Sequence, residues 1–183
     1  MVPPAERRSV RIEPISMAHM DAFLAAVRRS RGLHGRWVTP PTNEYTFRNY
    51  VRARTGPTSY GFLVISDAEE LIGSINLNEI VRGLFQNAFL GYYAFLPHAR
   101  RGFMSQGLAA VIDVAFREQR LHRLEANIQP GNAPSIALVK RAGFRLEGFS
   151  PRYLKIAGRW RDHERWALTR EDWKQRPRGK TKG

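Results

Sequence analysis

The sequence predicts one mixed α/β domain, and three observations lead to that prediction. Stretches with the alternating or continuous apolar character of strands are interleaved with stretches of helical periodicity. The chain has 183 residues, a length that suits a single domain with its own core. The order of the predicted elements is strand, two helices, three strands, helix, strand, helix and two strands, which is typical of a mixed α/β fold.

The first third of the chain predicts a short alternating strand and two helices. Ser16 is a typical N-cap for the helical spacing over residues 17–30. After a loop rich in glycine, proline and aromatic residues, Thr42 or Asn43 is expected to cap a second helix over residues 44–54.

Three antiparallel strands are predicted in the middle of the chain, over residues 60–66, 71–81 and 87–96. In the second strand, apolar residues alternate with Ser74 and Asn76, so one face is apolar and the other polar. The third strand is apolar on both faces, which is typical of a central strand covered on each side.

The C-terminal half predicts a long helix, a strand, a short helix and a closing pair of antiparallel strands. The respective ranges are 101–116, 123–130, 131–144, 145–150 and 152–169, with a turn near Gly158.

Composition excludes several classes of site. The chain has no cysteine, which excludes disulfides, cysteine-based zinc sites and thiol nucleophiles. No apolar run approaches the roughly 20 residues that span a membrane, and the N-terminus lacks the apolar segment of a signal peptide, so we expect a cytoplasmic protein. His98, His122 and His163 do not have metal-ligand spacing, so we assign them no chemistry and expect no metal.

The formal net charge is +14, which indicates an anionic ligand, an acidic partner such as a nucleic acid, or simply a soluble surface. Basic residues cluster at Arg7–Arg8, Arg28–Arg31 and Arg100–Arg101. The basic stretch 174–183 has no apolar periodicity and is expected to be a disordered tail after a domain over 1–173.

The helix over 101–116 begins with features suited to an anion. The first amides of a helix lack intrahelical partners and carry a partial positive charge. Gly102 allows a ligand to approach, Ser105 keeps the first turn slim, and Arg100 and Arg101 add charge. A pyrophosphate would fit there. The alternative is that Gly102 only serves a tight turn between strand and helix.

The segment Gly91–Phe144 resembles the acetyl-CoA-binding core of the GNAT superfamily of N-acetyltransferases. In that superfamily a strand is followed by Gln or Arg, two residues, Gly, any residue, and Gly or Ala at the start of a long helix. Gly102 matches the first glycine of this pattern, whereas Ala99 and Met104 depart from it. The stretch GFMSQGL is similar to the version found in one subfamily.

That subfamily is the ribosomal-protein-alanine N-acetyltransferases. ANIQPGNAPSIALVKRAGFRLEG and YLKIAGRWRDHERWALTREDW resemble its signatures, and the likeness covers about residues 9–173. It implies a mostly antiparallel sheet with a splayed central strand pair and flanking helices. It also implies acetyl transfer from acetyl-CoA to an amine by direct attack, above all to the N-terminal α-amine of a ribosomal protein.

The resemblance implies which residues hold acetyl-CoA. Strand backbone groups would bind the pantetheine arm, the helix start would bind the pyrophosphate, Asn132 would contact the pantetheine, and Ser135 would protonate the departing thiolate. The alternatives are a simple helix cap for Asn132 and a helix-surface position for Ser135. The implied cofactor-binding residues are Tyr93, Ala94, Phe95, Arg100, Arg101, Gly102, Phe103, Met104, Ser105, Gln106 and Asn132.

On the acceptor side, Glu79 is the candidate base, acting directly or through water, and its alternative is a solvated carboxylate at a strand end. The aromatic members of the acceptor groove are as compatible with a place in the core. The residues expected to line the groove are Trp37, Asn78, Tyr92 and Tyr153.

Two positions depart from the superfamily's catalytic pattern. Val139 stands where many members have a tyrosine that acts as general acid, and Leu154 stands where a relative that acts on ribosomal proteins has a glutamate. A site with a modest base suits an α-amine, whose pKa is about 7.7–8.0, better than a lysine at about 10.4.

Other functions remain open at this stage. The acceptor can be a small-molecule amine or a lysine, because a fold does not fix a substrate. The chain can also be a catalytically weak module that binds acyl-CoA and RNA. Whether it is a monomer or a homodimer is not determined by the sequence.

Overall fold

The computed structural model describes residues 9–35 and 37–175. Its strands are β1 (Val10–Pro14), β2 (Thr55–Gly56), β3 (Ser59–Ser66), β4 (Leu71–Val81), β5 (Asn87–Ala94), β6 (Arg123–Ile128), β7 (Arg145–Ile156) and β8 (Arg159–Thr169). Its α-helices are α1 (Met20–Arg29), α2 (Arg31–His34), α3 (Glu44–Arg52), α4 (Phe103–Asp113), α5 (Ala133–Arg141) and α6 (Arg170–Gln175). A 3-10 turn (Met17–His19) precedes α1, and a π-helical turn (Val114–Glu118) follows α4.

The strands form one sheet in the order β1-β3-β4-β5-β6-β8-β7, with β2 paired to β3. β5 and β6 run parallel, whereas the other pairs are antiparallel. Pairing between β5 and β6 ends at Leu90 and Ala126, although β5 continues to Ala94 and β6 to Ile128. The predicted mixed α/β fold with a splayed central pair is therefore confirmed, and the sheet opens at its centre.

Two hydrophobic cores cover the sheet. One includes Leu108 of α4 and Ile75 of β4, and the other joins Phe23 of α1, Phe47 of α3 and Leu63 of β3. Because helices lie on both faces of the sheet, the central strand β5 carries apolar residues on both of its faces.

The polar face of β4 is buried and its groups are paired within the protein. Ser74 is 0% exposed and Asn76 is 3% exposed. The Tyr50 hydroxyl of α3 lies 2.9 Å from Ser74 Oγ and accepts a hydrogen bond of 2.9 Å from Nδ2 of Asn76. Tyr93 of β5 donates its own hydroxyl to Tyr50 at 3.0 Å. This network satisfies polar groups that would be costly to bury alone.

The caps and stops agree with the sequence where they can be compared. Asn43 caps α3, because its Oδ1 accepts the Thr46 amide at 2.9 Å. Gly158 forms the predicted turn between β7 and β8 with φ +79°.

Three short elements were not predicted, namely α2, β2 and α6. Helix α6 continues to Gln175, past the predicted domain boundary at residue 173. The rest of the predicted tail, residues 176–183, and the basic pair Arg7–Arg8 lie outside the described residues. Within the described ranges, no helix has both the length and the apolar character needed to cross a membrane.

Helix α4 packs closely on β3 at Gly107. A Cβ atom added there would lie 2.5 Å and 2.8 Å from the two methyl carbons of Val64, a residue that is 0% exposed. Because the valine is surrounded by core, it has little room to move.

We expect Gly107→Ala to lower the free energy of unfolding by about 1–2 kcal/mol, because overpacking costs more than the helix propensity gained. Urea unfolding measures this change. In a Val64→Ala background, which provides space, the same substitution should cost less. An equal cost in both backgrounds would show that the contact with Val64 is not the cause.

Candidate active site

Two cavities adjoin where β5 and β6 diverge. The first cavity has a volume of about 580 Å³ and lies beside the start of α4 and along α5. The second cavity has a volume of about 410 Å³ and is lined by residues of β4, β5, β6 and the β7–β8 pair. Molecules bound in the two cavities would meet at a shared wall. That wall consists of Trp37, Val38, Tyr92, Asn132 and Ser135.

The structure brings most of the predicted site residues to these cavities. Seven of the predicted cofactor-binding residues line the first cavity: Tyr93, Ala94, Arg100, Gly102, Met104, Ser105 and Asn132. The predicted catalytic and acceptor residues line the second cavity: Trp37, Asn78, Glu79, Tyr92, Ser135 and Tyr153.

The start of α4 has the geometry of an anion site. Gly102 is the N-cap with φ +86°, a conformation that strongly favours glycine, and no side chain caps the helix. The first amides therefore keep their partial positive charge. Arg100 precedes this turn, and Arg141 at the end of α5 lines the same cavity. Two arginines and an uncapped helix start thus line one cavity, a combination that suits an anionic ligand.

Four predicted cofactor residues are not among those that line the first cavity: Phe95, Arg101, Phe103 and Gln106. Phe95 and Phe103 are core residues with exposed fractions of 0% and 5%. The Arg101 guanidinium lies 5.9 Å from the centre of the Phe103 ring, and the Gln106 side chain is exposed. A contribution from Phe103 to anion binding would therefore fall to its backbone amide.

The open edge of β5 presents different backbone groups from those predicted. The Phe95 amide donates to the Ile72 carbonyl of β4 at 2.7 Å, so it is not available to a ligand. Because backbone groups alternate in direction along a strand, Tyr93 also faces β4, where it pairs with Ser74. The groups of Tyr92 and Ala94 face the opening instead. The Phe95 amide is therefore engaged within the sheet, and of the three predicted backbone positions Ala94 is the one that faces the opening.

His34 of α2 contacts this open edge. Its Nε2 lies 2.9 Å from the Ala94 carbonyl oxygen, and since a carbonyl only accepts, Nε2 carries the proton. The remaining nitrogen, Nδ1, is buried and has no hydrogen-bond partner among the described residues. Burial lowers the pKa of His34, although its hydrogen bond to Ala94 opposes that shift. The ring is thus a neutral acceptor beside the first cavity.

Glu79 lies at an irregularity in the pairing of β4 with β5, between Asn78 and Val81. Its φ is +50°, which is uncommon for a residue with a side chain. Such bulges re-aim side chains and occur often beside active sites. Here Glu79 is exposed and is one of the residues that line the second cavity.

Tyr92 and Ser135 form a hydroxyl pair in the shared wall. Ser135 Oγ donates to the Tyr92 hydroxyl at 2.7 Å, while the Tyr92 hydroxyl lies 3.4 Å from the Ser135 carbonyl oxygen. Burial raises the pKa of Tyr92 to about 12, so the phenol stays protonated at neutral pH. The long contact leaves its hydrogen easily redirected toward a ligand.

Asn132 was predicted either to contact the pantetheine arm or to cap a helix, and its place in the structure is compatible with both. Its Oδ1 accepts a hydrogen bond from the Ser135 amide at 3.4 Å, so Asn132 caps α5, and it also lines both cavities.

Val139 is 0% exposed and therefore lies in the core rather than in a cavity. Leu154 lines the second cavity, which therefore has a leucine at the position where a relative has a glutamate.

His163, which was assigned no function from its sequence spacing, lines the second cavity. It is 3% exposed, and its Nδ1 lies 2.9 Å from the Arg161 carbonyl oxygen. Burial lowers the pKa of His163, while the Arg161 carbonyl and the charge of Asp162 oppose that shift. At neutral pH the ring is uncharged.

Taken together, an uncapped helix start lies in a cavity that adjoins, through a hydroxyl pair, a second cavity whose described lining includes one carboxylate and one neutral imidazole. This arrangement suits transfer of a group from an anionic carrier to a basic acceptor. Residues 9–145 match the family model described as Acetyltransferase (GNAT) domain. The chain belongs to the GNAT acetyltransferase family.

Two curated proteins show the extent of the GNAT likeness. The probable N-acetyltransferase YjcK of Bacillus subtilis (strain 168) is 39% identical over 113 residues, 62% of this chain and 62% of that protein. The ribosomal protein uS5-alanine N-acetyltransferase of Escherichia coli (strain K12) is 40% identical over 120 residues, 66% of this chain and 62% of that protein. The chain thus spans 62% of the length of either relative.

A solved GNAT structure extends this likeness to most of the fold. Mycobacterium smegmatis RimJ in complex with CoA-disulfide superposes with a TM-score of 0.82 at 26% identity, covering 91% of this chain and 84% of that chain.

Three residues of this GNAT site escaped the sequence analysis. His34 lies in a stretch expected to be a loop, and Arg141 appeared to be an ordinary cation at a helix end. His163 is flanked by Asp162 and Glu164, and these charged neighbours make the position look exposed in the sequence. Strict alternation along 159–169 would have placed it on the same face as the buried Ala167.

Proposed function

We propose that this protein transfers the acetyl group of acetyl-CoA to the N-terminal α-amine of a ribosomal protein. The observation that carries the proposal is the pair of adjoining cavities that meet at Tyr92 and Ser135. One cavity has the charge needed for a nucleotide diphosphate, and the other has the groups needed for a basic amine.

In this proposal acetyl-CoA occupies the first cavity. Its diphosphate lies against the start of α4, near Arg100 and Arg141, and its pantetheine arm follows the open edge of β5. The Ala94 amide faces this opening and can donate to the thioester carbonyl. A donor aimed at the oxygen of a tetrahedral intermediate is commonly worth about 3 kcal/mol.

The second cavity favours an acceptor with a single positive charge. Glu79 is the one carboxylate among the described residues that line it. A polyamine would leave most of its charges without a partner there, whereas one N-terminal ammonium is matched by one carboxylate. Asn78 and Tyr153 offer polar contacts to the peptide that follows the amine.

The nature of the acceptor is supported by a relative. The chain is 40% identical over 120 residues to an enzyme named for acetylating an alanine of ribosomal protein uS5. An α-amine also has a pKa of about 7.7–8.0, so it needs less help to lose its proton than a lysine does.

The reaction proceeds by direct attack. The amine nitrogen forms a bond to the thioester carbonyl carbon, and the carbon–sulfur bond then breaks. The leaving thiolate, with a reference pKa of about 8.5, is stabilised by hydrogen bonds from Ser135 and Tyr92 at the shared wall. Glu79 at the cavity edge attracts the incoming ammonium.

The test incubates the protein with acetyl-CoA and a panel of peptides and measures the acetyl mass shift of each peptide by mass spectrometry. Peptides with the N-terminal sequences of ribosomal proteins should gain one acetyl group at the α-amine, at least tenfold faster than lysine side chains, because of the difference in pKa. Spermidine and N-terminally blocked peptides serve as controls. Faster acetylation of a lysine or of spermidine would overturn the acceptor assignment.

The basic surface provides a second outcome of the same test. Absence of turnover on every amine, together with RNA binding that weakens steeply with salt, would favour a binding module over an enzyme.

A further inference from the structure

We propose that His163 is the catalytic base that takes the proton from the acceptor ammonium at the floor of the second cavity. The inference rests on the proposed function and adds a residue to it. It gives Glu79 a different task from the one that the sequence suggested, namely to attract the ammonium from the cavity edge.

The position of His163 is fixed from two sides. Nδ1 lies 2.9 Å from the Arg161 carbonyl oxygen, so Nδ1 carries the proton and Nε2 keeps its lone pair. The ring packs at 6.2 Å from the Tyr153 ring of β7. A buried imidazole held in one tautomer is a preorganised proton acceptor, whereas an exposed carboxylate is hydrated and must be desolvated first.

The surroundings of the ring keep it uncharged until a proton arrives. Within the described chain, His163 is paired across the sheet with Ser150 of β7, a neutral residue. No carboxylate lies within 4.0 Å of it as an ion-pair partner in the described chain, in contrast to His122, whose Nε2 lies 3.0 Å from Glu171. The titratable or charged groups around it are Tyr153 on β7, Glu79 on β4 and Tyr92 on β5 across the cavity, and Arg161, Asp162, Glu164 and Arg165 on β8.

The protons balance as follows. The ammonium gives its first proton to Nε2 of His163, and the freed lone pair attacks the thioester carbon. As the carbon–sulfur bond breaks, the thiolate takes a proton from the Ser135–Tyr92 hydroxyls, and the nitrogen loses its second proton to solvent, which returns one proton to the hydroxyls. The imidazolium then releases the first proton to solvent.

This assignment has a kinetic signature in pH. With a neutral imidazole present, the bound ammonium can be deprotonated inside the complex, so kcat should rise with pH only up to the imidazole pKa, which burial lowers from its ordinary value. Without the imidazole, the amine must lose its proton to solvent, and the rise of kcat should move to about 7.7–8.0.

The experiment compares the full-length protein with His163→Asn, using acetyl-CoA and an alanine-terminated peptide. Asparagine can still donate to the Arg161 carbonyl but has no basic nitrogen. We expect kcat at pH 6.5 to fall about 15- to 30-fold, from the distance between pH 6.5 and the amine pKa, and the two rates to converge by about pH 9.

Two matched variants separate chemistry from structure. His122→Asn replaces an exposed histidine outside both cavities and should leave the pH profile unchanged. Glu79→Gln should raise the KM for the peptide while the rise of kcat stays at the same pH. The acetyl-CoA affinity and thermal midpoint of His163→Asn should match those of the parent protein.

Two results would overturn the assignment, and each is distinct from failure of the proposed function. A profile for His163→Asn that superposes on the parent profile excludes His163 as the base. A shifted profile in Glu79→Gln instead assigns the base to the carboxylate. If the parent protein acetylates no amine while binding acetyl-CoA, the proposed function itself fails.

Discussion

Replacing both hydroxyls of the shared wall, in Tyr92→Phe/Ser135→Ala, should lower kcat about a hundredfold with little change in the KM for acetyl-CoA. Ser135 donates to Tyr92 at 2.7 Å, and together they are the hydroxyl donors between the two cavities. Because burial raises the pKa of Tyr92 to about 12, the phenol remains a donor from pH 6 to 9. The loss should therefore be nearly independent of pH in that range.

Thiol release from acetyl-CoA measures this effect. Tyr45→Phe is the matched control, since Tyr45 is 74% exposed on α3 and lies outside both cavities. Each single variant should lose less than the double variant, because either hydroxyl can still reach the thiolate. A double variant that retains full kcat would mean that the thiolate leaves without help from these groups.

Gly102→Glu should raise the dissociation constant for acetyl-CoA about a hundredfold. The substitution places a negative charge at the uncapped start of α4, where the diphosphate is proposed to bind, and like charges at such distances repel by several kcal/mol before screening. Space is not the reason, because nothing lies within 4 Å of a Cβ atom at this position.

Gly102→Ala isolates the backbone contribution to that effect. Since φ is +86°, alanine should cost about 1–2 kcal/mol of stability through strain, yet change the affinity for acetyl-CoA only a few-fold. Calorimetry with CoA compares the two variants. Equal affinities for Gly102→Glu and the parent protein would mean that the diphosphate binds elsewhere.

Local patterns were sufficient to predict most of the fold. Helical spacing predicted α4 because its stripe of Leu108, Val111 and Ile112 recurs at three and four residues, and all three are buried. The short elements α2 and α6 were missed because four to six residues are too few for a periodicity to appear.

The site was predictable only in part. Gly102 and Asn132, which were predicted from their resemblance to contiguous motifs of the superfamily, both line the first cavity. The backbone direction along β5 was not predicted, since it depends on the register with β4, and that register is a tertiary property. His34, Arg141 and His163 reach the cavities from three separate elements, so no linear pattern joins them.

The divergence of β5 from β6 has a consequence for how tightly this protein holds together. Beyond Leu90, β5 keeps hydrogen-bonded pairing with only one neighbouring strand, so this stretch can open more readily than the rest of the sheet. A ligand lying along that edge supplies the missing hydrogen-bond partners, and it binds the folded state but not the unfolded state. By mass action it adds about 2.7 kcal/mol at a hundred times its dissociation constant. The melting temperature of such a protein is therefore a property of the metabolite pool around it as much as of its own sequence.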